Sequence, residues 1–221
     1  MIHAPVDPSL ETLWGNLLQA LDQAPAAAVP SGEPVPAYRP EGGALPFVCL
    51  GGGAWPSARS MGGAALAGDH LFFAAAMEKD KPFNAARSGR ERTWLTGDVF
   101  EVFFQPPGRA EYHEIHATPE GVLLRLRFPD VHLFSRLPFE SVHDDETPAR
   151  AHSRILSEAK RWLVAVSLPL SALGLSADRL PGARFALCRY DYAAPGAKPE
   201  ISAIRVFPTT FHDPERWLPF A

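Results

Sequence analysis

Beyond Phe47 no apolar pattern is sustained for long. The segments HLFFAAAM (70–77), DVFEVFFQ (98–105), YHEIHAT (112–118), GVLLRLRF (121–128), RWLVAVSLP (161–169) and RFALCRYDY (184–192) are short, rich in Phe, Val and Leu, and closed by Gly, Pro or Asp. Segments of that length between turn formers are strands, and their spacing predicts an all-β chain built as an antiparallel sandwich. Proline points the same way. It makes up 23 of 221 residues, well above the usual ~5%, and each interior proline would remove a helical hydrogen bond. A long helical bundle is excluded.

Three of the strands follow one another directly. DVFEVFFQ reaches YHEIHAT through Pro106, Pro107 and Gly108, and YHEIHAT reaches GVLLRLRF through Thr118-Pro119-Glu120-Gly121. This is turn chemistry, and it makes the three a meander. Within the sandwich only 170–175 and a piece around 149–159 have helical character, and no internal repeat is present.

The N-terminal part reads differently. Leu10, Leu13, Trp14, Leu17, Leu18 and Leu21 recur at the spacing of one helix face, which predicts an amphipathic helix with Asp7 as its cap and Pro8 in its first turn. Six prolines (25, 30, 34, 36, 40 and 46), with Gly32, Gly42 and Gly43, then describe an extended connector. Residues 1–46 are thus expected to be helix and connector, and residues 47–221 the sandwich. The helix's apolar stripe needs a cover, supplied by the sandwich or by a partner. Short isolated helices are marginal in water, which favours packing in cis.

A formal net charge of −4, with no run or stripe of Lys and Arg, disfavours nucleic acid, whose phosphates are met by clustered cations. It disfavours an anionic membrane surface for the same reason. Cys49 and Cys188 match no CxxC or zinc spacing and are either one disulfide or two buried thiols. Asp7 and Glu11 stand where an export signal needs basic residues and then an apolar run, and no later stretch approaches the roughly 18 apolar residues of a membrane span. By sequence alone the chain reads as soluble and cytoplasmic.

Strand side chains alternate between two faces. Phe100, Val102 and Phe104 oppose Glu101 and Phe103; Tyr112, Glu114 and His116 oppose His113, Ile115 and Ala117; Leu124, Leu126 and Phe128 oppose Arg125 and Arg127. If the apolar faces share one core, Glu101, Tyr112, Glu114, His116, Arg125 and Arg127 come together on the other side of the sheet. Trp94 lies in the loop just before Asp98 and Glu101. Such a face is either a solvated surface of cross-strand ion pairs or a shallow ligand platform. As a platform, its carboxylates and guanidinium groups hold vicinal hydroxyls while a tryptophan lies against the apolar face of a sugar ring. Trp94 has two matching uses, plugging the end of the sandwich or stacking on a ligand.

An ordered set of motifs sharpens the choice. Asp69-His70-Leu71-Phe72-Phe73 is followed by Asp80, then by Trp94-Leu95-Thr96-Gly97-Asp98-Val99-Phe100-Glu101-Val102-Phe103, Tyr112-His113-Glu114 and Pro119-Glu120-Gly121. Arg161-Trp162, Leu168-Pro169-Leu170, Cys188-Arg189-Tyr190-Asp191 and Phe211-His212-Asp213-Pro214-Glu215 complete it. Together, over residues 47–221, they resemble the family 9 carbohydrate-binding modules and the wider family-9-like (DOMON-like) domains.

The resemblance implies an immunoglobulin-like, jelly-roll-like β-sandwich without catalytic machinery. Such modules are usually attached to glycoside hydrolases, work outside the cell, and bind sugar chains or their ends in carbohydrate breakdown. It also implies a clamp of two tryptophans beside acidic, amide and arginine side chains, with structural calcium in some members. Trp94 matches the first tryptophan and Glu101 the acidic residue after it. The loop that would carry the second, from Tyr192 to Glu200, has no tryptophan, which leaves Tyr192 as its substitute. The polar face read from strand alternation and the residues matched by the resemblance together give an expected ligand set of Trp94, Asp98, Glu101, Tyr112, Glu114, His116, Arg125, Arg127 and Tyr192. Carbohydrate is the implied partner, with no catalytic residue and no cofactor beyond structural calcium.

Two other classes compete. Glu101 and Glu114 on adjacent strands would stand about 5 Å apart, the separation of a retaining glycosidase pair, although carboxylates on a sheet commonly pair with arginine. An interaction module without a sugar ligand needs only the sandwich and the helix. A metal enzyme built on His113 and His116 is disfavoured, because residues three apart on a strand point to opposite faces. Neither thiol has a neighbouring histidine to activate it, and Gly51-Gly52-Gly53 leads into Trp55-Pro56 rather than a phosphate-binding helix. His212 is expected to hydrogen-bond to a turn.

Overall fold

The computed structural model describes residues 8–23, 44–52 and 54–221. The expected cap at Asp7, the connector over 24–43 and Gly53 lie outside these residues. Two antiparallel sheets face each other. The first runs in the order β1 (Leu45–Pro46), β3 (Ser60–Ala67), β4 (His70–Glu78), β9 (Arg161–Pro169), β8 (Arg150–Leu156). The second runs β2 (Val48–Cys49), β11 (Glu200–Ala203), β10 (Arg184–Asp191), β5 (Val99–Gln105), β6 (Tyr112–Ala117), β7 (Leu123–Phe128), with β12 (Leu218–Pro219) paired to β10. The all-β sandwich with one N-terminal helix is the architecture found, and β5-β6-β7 is the predicted meander. β1 and β2 enter different sheets, so the chain crosses the core at Phe47, whose ring is fully buried.

Alternation builds the core between the sheets. Leu71, Phe73, Ala75 and Met77 of β4 and Trp162, Val164, Val166 and Leu168 of β9 meet Phe100, Val102 and Phe104 of β5 and Phe185 and Leu187 of β10. Phe73 packs against Phe104 and Phe185 at 5.8 and 5.4 Å between ring centroids. Each such buried ring contributes about 1.5–3 kcal/mol.

The intervening residues of the first sheet face outward, and helix α1 (Pro8–Gln23) lies on them. Leu10, Leu13, Trp14, Leu17 and Leu21 pack on Met61, Phe72, Ala74, Ala76, Leu163 and Ala165. The three alanines let the helix approach closely. Trp14 donates its indole N–H to the Val164 carbonyl at 3.2 Å, and the Arg154 guanidinium covers its ring at 5.0 Å. The helix is therefore covered in cis. Among the described residues no helix is long and apolar enough to cross a membrane. Cys49 and Cys188 are free thiols; their partners on β11 are Ser202 and Ala203, adjacent residues that place them on opposite faces of the second sheet.

The outer face of the second sheet has a different cover. Segments 129–149 and 204–217 fold over it, bringing Val142, Phe207, Phe211 and Trp217 onto Phe103, Tyr112, Leu124, Leu126 and Phe128.

Candidate functional site

Between this cover and the sheet lies a cavity of about 540 Å³. Glu101 and Phe103 of β5, Glu114 of β6, Leu126 and Phe128 of β7 and Tyr190 of β10 line its floor; Phe134, Phe139, Phe211 and His212 come from the covering segments, and Arg92 and Trp94 from the loop before β5. Strand register explains the floor. Glu101 pairs with His116, Phe103 with Glu114, and Glu114 with Leu126, so all share one face.

The same register corrects one expectation. Arg125 pairs with Ile115 and Arg127 with His113, so both arginines point to the opposite face from the carboxylates. Arg125 donates to the Thr147 carbonyl at 2.7 Å, and Arg127 lies 3.5 Å from Glu146. The apolar residues of β7 turn outward because apolar side chains of the covering segments roof that face. Its arginines turn inward because β7 is the edge strand of the larger sheet, where the inner face opens to water.

Trp94 sits in a single turn, Thr93–Leu95, that is pinned by backbone-directed bonds. Asn84 donates to the carbonyls of Thr93 and Asp98 at 2.8 and 3.1 Å, and its side-chain oxygen accepts from the Thr96 hydroxyl at 2.7 Å. Gly97 has φ +153° and pairs with Asn84; a Cβ there would lie 2.3 Å from the Phe83 carbonyl oxygen. Trp94 itself is half-buried, meeting the His116 ring edge-on at 5.4 Å and Phe139 at 5.6 Å.

Two residues expected to touch ligand instead brace this loop. Asp98 is buried and accepts from the N–H groups of Phe83 (3.0 Å) and Tyr192 (2.8 Å), with Lys79 Nζ at 3.1 Å. Burial raises its pKa against those partners. Tyr192 is buried, donates its hydroxyl to the Trp94 carbonyl at 2.6 Å and sets its ring against Phe83. It supports Trp94 from behind, and its ring, set against Phe83, does not line the cavity where a second clamp would stand.

The polar centre is His116, wholly buried between the two glutamates. Its Nε2 is 2.7 Å from Glu114 Oε1 and 3.3 Å from Glu101 Oε1, and its Nδ1 is 2.8 Å from the Thr93 hydroxyl. Burial pushes the Glu101 carboxyl up to about 8, with Glu114 adding and His116 opposing. Burial alone would raise Glu114 too, but the hydrogen bond from His116 and the charges of His212 and His116 outweigh it and hold Glu114 low. For His116 the burial that would lower it is outweighed by the two carboxylates, which raise it. The imidazole lies within hydrogen-bonding reach of both carboxyl groups, whereas a retaining pair keeps its two carboxyls free to face the sugar.

Glu114 Oε2 is buried with no hydrogen-bond donor; His212 Nε2 stands 3.5 Å away, too far to satisfy it. His212 is not bound to a turn through its ring. Its Nδ1 lies 2.6 Å from the Tyr112 hydroxyl and its ring stacks on Phe134 at 4.0 Å, while burial lowers its pKa. Tyr112 is buried beneath it, stacked on Phe128 at 5.0 Å, and reaches the cavity only through His212. Of the expected set, the structure thus brings Trp94, Glu101 and Glu114 to the cavity, with His116 just beneath. Sequence parity missed Tyr190, Arg92 and the aromatic wall. The only signal for His212 was its motif Phe211-His212-Asp213-Pro214.

Among the described residues Glu101, Glu114 and His116 are the one group of such side chains with metal-ligand spacing, their donor atoms lying within 4.8 Å of one another. They do not fit calcium, which takes six to eight oxygens; here one of three donors is an imidazole nitrogen.

No protein-family profile matches the sequence, and no curated protein matches it significantly. Among solved structures, a Bacteroides uniformis protein designated a candidate carbohydrate binder is 17% identical, with a TM-score of 0.58 over 80% of this chain and 87% of that one. A family 9 carbohydrate-binding module of Caldicellulosiruptor kristjanssonii in complex with cellotriose is 9% identical, with a TM-score of 0.47 over 78% of this chain and 79% of that one. A second structure of a family 9 module from that organism, with glucose, is 11% identical, with a TM-score of 0.46 over 81% and 80%. At these identities the likeness is one of fold, and it rests on the first of the three. The chain shares the β-sandwich fold of that candidate carbohydrate binder.

Proposed function

We propose that the cavity over the second sheet binds carbohydrate without transforming it, taking the end of an oligosaccharide. The observation that carries this reading is the pairing of aromatic walls with a carboxylate floor in a space of about 540 Å³, within the roughly 300–1,000 Å³ of small-molecule sites. A pyranose has an apolar C–H face and a rim of hydroxyls. Trp94 and the neighbouring rings suit the first, and the oxygens of Glu101 and Glu114 suit the second as hydrogen-bond acceptors. Arg92 and Tyr190 add donors at the edge of the same cavity. The imidazole between the carboxyl groups favours binding over hydrolysis, and the sugar-binding neighbours lend the reading an analogy of fold only.

Calorimetry with gluco-, manno- and xylo-oligosaccharides tests it. Binding to one of these series is expected, weakened in Trp94→Ala by about 1–3 kcal/mol, the usual worth of a stacked ring. A Trp94→Ala protein that binds as the wild type does would remove the tryptophan from the site. Silence across all three series would leave an interaction module without a sugar ligand, and release of reducing sugar would restore the glycosidase.

A further inference from the structure

We infer that Glu101, Glu114 and His116 form a site for a transition-metal ion of the zinc class at the floor of the cavity. The inference does not rest on sugar binding. One imidazole nitrogen and two carboxylate oxygens, presented by neighbouring strands, lie within 4.8 Å of one another. For tetrahedral metal–ligand bonds of about 2.0–2.1 Å, neighbouring donors should be roughly 3.3 Å apart. The His116 to Glu101 separation is 3.3 Å, and the His116 to Glu114 separation is 2.7 Å. The second needs only a small swing of one carboxylate.

An independent observation points to a missing partner. Glu114 Oε2, the second oxygen of the carboxylate whose Oε1 meets His116, has no hydrogen-bond donor, although its side chain is 8% exposed and lines the cavity. A buried oxygen left unsatisfied is costly and calls for an explanation; a bound cation supplies one.

The surroundings are those of a ligand set that is held in advance. The Thr93 hydroxyl meets His116 Nδ1 at 2.8 Å, which fixes the ring so that Nε2 faces the carboxylates, as outer partners of metal-bound histidines commonly do. His212, itself held by Tyr112, stands beside the site, 3.5 Å from Glu114 Oε2. Once the metal has displaced their protons, two carboxylates and a neutral imidazole match the charge of a divalent ion, and the nitrogen donor selects zinc, cobalt or nickel over calcium and magnesium. Three protein ligands leave one position, which opens to the cavity and takes water or a ligand hydroxyl.

Wild-type protein dialysed against a chelator is titrated with ZnCl2 and with CoCl2, with CaCl2 as the contrast. One equivalent of zinc is expected, with a higher melting temperature in excess zinc. Cobalt is expected to give the intense visible bands of a four-coordinate ion. Glu101→Gln and His116→Gln should each weaken zinc binding at least tenfold. No stoichiometric zinc binding to the folded wild type, calcium binding as tight as zinc, or binding unchanged in both variants would each overturn the site. If both variants misfold, the wild-type cobalt spectrum decides: weak octahedral bands would assign the ion to surface histidines and overturn the inference.

Discussion

The two outer faces of this sandwich are covered in opposite ways. On the first sheet a single helix lies on small residues, Ala74, Ala76 and Ala165, and every apolar group of its stripe from Leu10 to Leu21 finds a close neighbour. On the second sheet irregular segments are laid over large rings and charged groups, and a cavity remains beneath them. A regular rod on a flat bed of alanines packs to near-native density. Loops bearing Phe134, Phe139 and Phe211 do not follow the sheet so closely, and the space they leave is the cavity floored by Glu101 and Glu114. The lesson is that the kind of cover, more than the sheet, decides which face of a sandwich keeps a cavity.

The largest loss is expected at the helix. Trp14→Ala removes a side chain that is 2% exposed and should cost about 3–5 kcal/mol in chemical denaturation, with the cavity on the far sheet unaffected. A loss below about 1 kcal/mol would mean that the helix is not part of the cooperative unit.

Next comes the anchor of the irregular cover. Asp144 accepts from the N–H groups of Glu146 and Thr147 at 3.1 Å each and stands 3.3 Å from His113 Nδ1. Asp144→Ala should cost about 2 kcal/mol and loosen the cavity wall. Burial alone would raise this carboxyl, but the bonds from His113 and Thr147 hold it well below the usual range. A depressed folded-state value means that its stabilisation is complete above about pH 4, the unfolded-state value, and is lost as pH falls below that. An acid titration of wild type against Asp144→Asn should therefore show the two stabilities converging below about pH 4. Parallel curves would remove Asp144 from that role.

The smallest effect is expected at the exposed ion pair of Glu11 with Arg154, which ties the helix to β8. Glu11→Gln should change stability by less than about 1 kcal/mol, as surface pairs do. A double-mutant cycle with Arg154→Gln measures it, and a larger coupling would make the pair a real clasp.

What the sequence disclosed divides along the same line. The helix stripe from Leu10 to Leu21 and the meander β5-β6-β7 were legible because a 3.6-residue period and Pro/Gly turns are local signals. Glu101, Glu114, His116 and Trp94 were placed together correctly by parity and motif. Arg125 and Arg127 were placed on the wrong face because alternation assumes that the apolar side of a strand faces the core between the sheets. In β7 Leu124, Leu126 and Phe128 face the second, roofed core. Tyr192 looked free to meet a ligand because its bond to the Trp94 carbonyl spans 98 residues of sequence, and no local pattern announces such a contact. Phe134, Phe139 and His212 belong to irregular segments, whose folding over the sheet has no period to read.

The glycine at position 97 has a consequence for time rather than for energy. Because its backbone lies directly on residues 83 and 84, with no room for a side chain, the turn bearing Trp94 has nowhere to swing. A ligand that stacks there meets a finished surface, with no closing step to wait for. Stopped-flow traces of the tryptophan signal should be single exponentials whose observed rate rises in direct proportion to ligand concentration. Variants of the surrounding wall should then alter residence time much more than the rate of arrival.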